Sequence, residues 1–144
     1  MVTKTRTKHI YEVIELASKA KTKQDRINVL RENESWALKD LLRGAYDELV
    51  QWSLPPGDPP YEPAIEETVP STLHNQHKKF KYFVKGLVGD QMMGFKRERM
   101  FIDILEGVHP KDAKLLILMK DKKALAKGIT KKLVEEAFPK LIVK

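Results

Sequence analysis

The sequence has no cysteine, so disulfides and thiolate metal sites are excluded, and a reducing compartment fits. It has no apolar run near the ~18 residues that a membrane span needs. The start, MVTKTRTKHIYEVIEL, lacks the continuous apolar stretch and cleavage site of a signal peptide. A cytoplasmic protein is therefore expected. Between Arg43 and Lys78 there is no Lys or Arg at all. No Gly-rich phosphate loop is present, because GLVGDQMMG lacks the lysine and the Ser or Thr that such a loop needs. There is no GxSxG elbow, and the adjacent acid pairs Glu66–Glu67 and Glu135–Glu136 diverge rather than converge. These absences favour a binding protein over an enzyme.

What is present is charge, unevenly placed. The chain of 144 residues carries a formal net charge of +7. Residues 1–70 hold 10 Lys/Arg against 12 Asp/Glu, whereas residues 71–144 hold 17 against 8. A basic half points to a polyanionic partner such as nucleic acid, or an anionic surface. It equally fits a solvated, lysine-rich exterior that keeps the protein dispersed. Apolar residues make up 42%, enough for a core in one domain spanning 1–144.

Hydrophobic spacing predicts an all-α fold, a single compact bundle of about six to seven helices. Ile10, Val13, Ile14 and Ala17 repeat at helical spacing within 8–20, with Thr7 as a cap. A second helix begins at Thr22, where TKQD forms a loose capping box. A third follows Asn33 or Ser35, with Trp36, Leu38, Leu41, Leu42 and Ala45 on its apolar face. LVQWSLP alternates and reads as a short extended piece. The connection at about 54–70 is acidic and holds six prolines, so it is expected to be extended, strapped over the core by Tyr61 and Ile65 or used to bind a partner. Ser71 or Thr72 would cap a helix running to Leu87, followed by the linker GDQMMG and a helix over 95–106 with Met100, Phe101, Ile104 and Leu105 inward. Pro110 fits the first position of a central helix carrying LLILM and ending near Leu125. The last helix is expected at 130–137.

Few residues look able to carry chemistry. His74 and His77 have the i, i+3 spacing that can serve a metal, but no further ligand is evident, so neither a metal nor a cofactor is expected. Gly128 can take a positive φ and turn the chain into the last helix, leaving the amides of Ile129, Thr130 and Lys131 outward among Lys127, Lys131 and Lys132. This arrangement suits a phosphate, and it suits a plain glycine-capped corner as well. Lys21 and Lys23 sit at the start of the second helix, where the helix dipole disfavours cations; this fits an anion bound there, and it fits a chance surface arrangement better.

Three blocks carry a family likeness: IYEVIELASKAKTKQDRINVLREN, LKDLLRGAYDELVQW (Leu38 to Trp52), and KGITKKLVEEAFPKLI with its Gly128, Pro139 and P-x-L-I ending. Together they resemble the N-terminal all-helical DNA-binding domain of T-even-phage-type ATP-dependent DNA ligases. The likeness covers nearly the whole chain. The ligase's K-x-D-G motif, which supplies its catalytic lysine, is absent. Lys123 and Ala124 replace the usual acidic approach to the glycine, and Lys140 replaces the glycine after the proline. The resemblance implies a stand-alone, phage-encoded, non-enzymatic relative in the host cytoplasm, one that grips duplex DNA by its sugar-phosphate backbone during replication or repair. The residues it nominates are Lys127, Gly128, Thr130, Lys131 and Lys132, with Thr22, Lys23 and Gln24, and more weakly Lys96, Arg97 and Arg99. Trp36, Arg43 and Tyr46 are expected to be structural, with Arg43 holding the connection. The alternative is an adaptor that binds a replication, transcription or virion protein through the acidic connection or the basic face.

Overall fold

Helix α1 (Ile10–Lys19) buries Ile10, Val13, Ile14 and Ala17, the four residues whose spacing announces it. The computed structural model describes residues 8–142, so the expected cap Thr7 lies outside them. Within them His9 occupies the N-cap, and Glu12 Oε1 accepts a hydrogen bond from the His9 amide at 3.0 Å. Helix α2 (Lys23–Glu32) starts at Thr22, whose hydroxyl accepts from the Asp25 amide at 3.1 Å. Helix α3 (Trp36–Tyr46) is capped by Ser35, whose hydroxyl accepts from the Leu38 amide at 3.1 Å. Such side-chain oxygens satisfy amides that the first helical turn cannot pair internally.

Trp36 departs from expectation: it is 72% exposed. Helical geometry explains this, since Ala37, Leu38, Leu41, Leu42 and Ala45 define a buried arc and Trp36 projects about 180° from its centre. Arg43 does not hold the connection either; its Nε lies 3.6 Å from Asp47 Oδ2 at the end of its own helix. Tyr46 is structural as expected, donating its hydroxyl to Ile129 O at 2.5 Å and accepting from the Leu125 amide at 2.9 Å.

The extended piece is present at Gln51–Ser53. It pairs across an antiparallel bridge between Trp52 and Val84, with Ser53 N donating to Phe83 O and Lys85 N to Gln51 O. That pairing ends the expected helix over 72–87 early. Helix α4 spans only Leu73–Gln76, a 3₁₀ stretch covers His77–Tyr82, and the backbone from Phe83 to Lys85 then serves the bridge instead. Phe80 and Phe83 remain buried, set edge-on against Trp52 and Phe101 respectively, but Leu87 is half exposed rather than inward.

The proline-rich connection lies against α5 (Gly94–Gly107) and α6 (Pro110–Lys120). Tyr61 packs against the core, whereas Ile65 stays 68% exposed, so only half of the expected strap contact forms. Prolines offer no amide, so the segment's carbonyls need outside donors. Lys120 Nζ supplies them, donating to Pro55 O at 3.0 Å and Gly57 O at 2.7 Å.

Helix α6 is central. It packs against α1, α3 and α5 and buries Ala113, Leu115, Leu116, Ile117 and Met119. Pro110 sits at its first position as expected. Its approach to α3 depends on Gly44, where a Cβ would lie 2.5 Å from the Trp52 indole and 2.8 Å from Met119 Sδ. The helix ends at Lys120, five residues before the expected Leu125. Lys122 adopts φ +57, its amide donates to Met119 O, and Lys123 N donates to Leu118 O. This is a Schellman closure, with a lysine where glycine is usual. Helix α7 (Lys131–Ala137) follows the loop and packs on α2 and α3. Among the described residues there is no strand, and no helix is long and apolar enough to cross a membrane.

Candidate functional site

The turn joining α1 to α2 faces the loop that leads into α7, so two of the nominated groups meet. Ser18 Oγ donates to Lys127 O at 2.6 Å, which ties the loop to α1. Arg26 Nε donates to Ala20 O at 3.1 Å and lays its guanidinium on Gly128. A Cβ at Gly128 would stand 2.5 Å from Arg26 Nη1 and 2.7 Å from Cζ, and the residue's φ is +82. The backbone angle favours glycine, and the missing Cβ lets the Arg26 guanidinium lie on the chain there. The side chains of Lys127 and Lys132 are exposed and make no ion pair among the described residues. The corner thus carries three cations: Arg26, Lys127 and Lys132.

The other nominated residues are placed less freely. Thr22 and Thr130 both serve as caps, Thr130 Oγ1 accepting from the Leu133 amide at 3.2 Å. Lys23 Nζ lies 2.5 Å from Glu136 Oε2, and Lys131 Nζ lies 3.4 Å from Glu48 Oε1. Gln24 Nε2 donates to Asn28 Oδ1 within its own helix. An exposed ion pair such as Lys131–Glu48 contributes about 0–1 kcal/mol, so Lys131 can exchange its carboxylate for a phosphate at little cost, whereas Lys23 faces a Glu136 oxygen that is buried.

Two expectations are corrected. The amide of Ile129 is not outward: the residue is fully buried and its N–H donates to Ala126 O at 3.2 Å. Helix α7 has seven residues, too short for its dipole to bring much to an anion. The third nominated group, Lys96, Arg97 and Arg99, begins α5, away from this corner. Arg97 is an internal clamp, its Nε donating to Ser53 O at 2.9 Å and its Nη1 to Gly89 O at 3.0 Å and Met92 O at 3.1 Å. Arg99 pairs with Asp103 one turn on at 3.3 Å, while Lys96 is exposed.

Arg26 escaped the sequence reading. Its position one turn after the capping Thr22 is visible in TKQDR, but its place over Gly128 depends on residues 102 positions away. Lys122 was missed for a similar reason. Its Nζ donates to Gly44 O and Asp47 O, each at 2.7 Å, and to Val50 O at 3.0 Å, and burial pushes its pKa down.

The histidines do not form a metal site. His77 Nδ1 sits 2.6 Å from Asp40 Oδ2, and His74 Nε2 sits 3.0 Å from Lys8 O. No group of three or more candidate ligands occurs among the described residues. A separate titratable cluster lies at the start of α6. Asp112 is fully buried, accepts from the Tyr11 amide at 2.8 Å, and has His9 Nδ1 3.6 Å from its second oxygen. The rings of His9, Tyr11 and His109 pack against one another beside it. Burial pushes the Asp112 carboxyl up to about 7.

Residues 13–127 match a family described as a family of unknown function (DUF6433), and the chain belongs to that family. Lys132 and the rest of α7 lie beyond the matched span. No curated protein and no solved structure matches the chain.

Proposed function

We propose that this protein is a non-enzymatic binder of duplex DNA that holds the phosphate backbone without reading sequence. The observation that carries the reading is the corner itself. Arg26 rests on a glycine whose φ of +82 lies in the left-handed region, and the exposed Lys127 and Lys132 flank that turn in sequence without an ion pair among the described residues. A guanidinium over bare backbone, flanked by two lysines, offers several donors to a strand of phosphates and nothing shaped for a base edge. Lys131 is the readier second-rank contact, since its present partner Glu48 is exposed, whereas Lys23 faces a buried oxygen of Glu136. The ligase-domain likeness, drawn from both segments that build this corner, adds independent support, as does the excess of cations after residue 70.

Backbone contacts release counterions, so affinity for a labelled duplex should fall steeply as salt is raised. In a fluorescence-anisotropy titration, Lys127→Glu with Lys132→Glu should weaken binding on any sequence and lower the slope of log affinity against log salt by about 2. Folding stability should stay within about 0.5 kcal/mol, because both side chains are exposed. Absence of duplex binding at low salt would refute the proposal.

A further inference from the structure

An open groove lies away from the Gly128 corner, between the second half of α3, the extended piece at Gln51–Ser53 and the 3₁₀ stretch. Its volume is about 570 Å³. The floor is apolar, formed by Trp52, Phe80, Val84 and Leu87. Trp52 is not free to reorganise, because its indole N–H donates to Gly44 O at 2.9 Å and its ring meets Phe80 edge-on. Leu87 stands half exposed at one lip, and the neighbouring Val88 is 60% exposed. The rim is cationic, carrying Arg43, Lys78 and Lys81. Lys78 makes no ion pair among the described residues, and Lys81 only overlies the Tyr82 ring at 5.4 Å. Asp40, the one carboxylate among the described lining residues, is already engaged by His77 at 2.6 Å.

We infer that this groove docks an acidic segment of a partner protein that inserts one or two bulky apolar side chains. The floor is a rigid aromatic recess of the size that takes such side chains, and apolar burial there supplies affinity. Lys78 and Lys81, which have no ion pair among the described residues, select carboxylates around the anchor and speed the encounter. A duplex would meet the rim but would leave the recess empty, since phosphates and sugars present nothing apolar to fill it. A second copy of this chain is disfavoured by its own net charge of +7. Its acidic connection is also held down by Lys120 and Glu106.

The test is fluorescence anisotropy of the full chain with a labelled synthetic peptide in which Leu and Phe alternate with Glu. Binding is expected, weakening as salt rises. Lys78→Glu with Lys81→Glu should weaken it by about tenfold or more, and Leu87→Ser by several-fold, with helicity by circular dichroism unchanged because these side chains are exposed. Lys127→Glu with Lys132→Glu should weaken duplex binding and leave peptide binding intact, which separates this inference from the corner's role. No peptide binding would overturn it. Equal affinity for a peptide carrying Ser in place of Leu and Phe would overturn it too, because charge alone would then suffice. A duplex that displaces the peptide, and that itself binds more weakly to the Lys78→Glu and Lys81→Glu variant, would assign this face to nucleic acid instead.

Discussion

The seam between α6 and the middle of the chain, and the corner at Gly128, are built from the same kinds of residue and use them in opposite ways. At the seam the cations point inward. Lys120 is 7% exposed and donates to the connection's carbonyls, and Lys122 and Arg97 each serve three carbonyls of irregular backbone. At the corner Arg26 gives one nitrogen to Ala20 O and keeps the rest of its guanidinium over Gly128, while Lys127 and Lys132 face solvent. The stretch from Gly44 to His77 contains no Lys or Arg and little regular structure. Several of its carbonyls accept from lysines and an arginine of the basic second half. Part of that half's positive charge is therefore structural, and counting charge overstates what is open to a polyanion.

The sharpest way to break this contrast is at Lys122. Lys122→Ala removes a charged donor from three carbonyls, of which Gly44 O and Asp47 O keep the Trp52 indole and Val50 amide, so denaturant unfolding should show a loss of about 3 kcal/mol. Lys122→Gly loses the same hydrogen bonds but relieves the backbone, and should be milder by about 1 kcal/mol. Losses below about 1 kcal/mol for both would mean that the seam's lysine is no more committed than the corner's.

Asp112 puts an acid to the same question of inward charge. Its folded-state carboxyl is raised to about 7 from an unfolded 3.8, so between those values the native state binds the extra proton. Stability should then fall as pH rises from about 4 to 7 and level off above, by something on the order of 2–4 kcal/mol. Asp112→Asn keeps an oxygen for the Tyr11 amide and should flatten that decline. A variant with an unchanged stability–pH curve would show that the burial penalty is relieved by another group, with His9 the nearest cation-forming side chain.

The smallest expected effect is at the corner. Gly128→Ala meets both an unfavourable φ and the Arg26 guanidinium, and should cost about 1–2 kcal/mol, mostly through the backbone angle, since the flexible Arg26 side chain can swing away. Because the variant displaces a proposed phosphate ligand, duplex affinity should fall further than stability does. Intact affinity would remove Arg26 from the interface.

Much of the fold was legible. Thr22, Ser35 and Thr130 each cap a helix, and Pro110 opens one, because capping chemistry acts within a single turn. The bounds of α5 and the apolar content of α6 follow from spacing alone. Trp36 was misplaced although the helical wheel already turns it away from Leu38 and Leu41. The expected helix over 72–87 has sound periodicity, yet its last residues lie beside Trp52 and pair with that strand-like piece instead. The end of α6 was hidden because the left-handed position is filled by lysine, which carries none of glycine's signal.

The sequence by itself determined an all-helical chain, where most helices begin, which residues make the core, and that Gly128 turns a corner. These are matters of nearest neighbours and of one repeating angle. Which cations would be open and which internal was decided only by the tertiary structure. Lysine and arginine reach far on flexible stems, and their partners here are carbonyls such as Gly44 O, 78 residues from Lys122. Whether such a side chain ends in solvent or on a carbonyl depends on which acceptors the fold brings within its reach, and no local pattern encodes that.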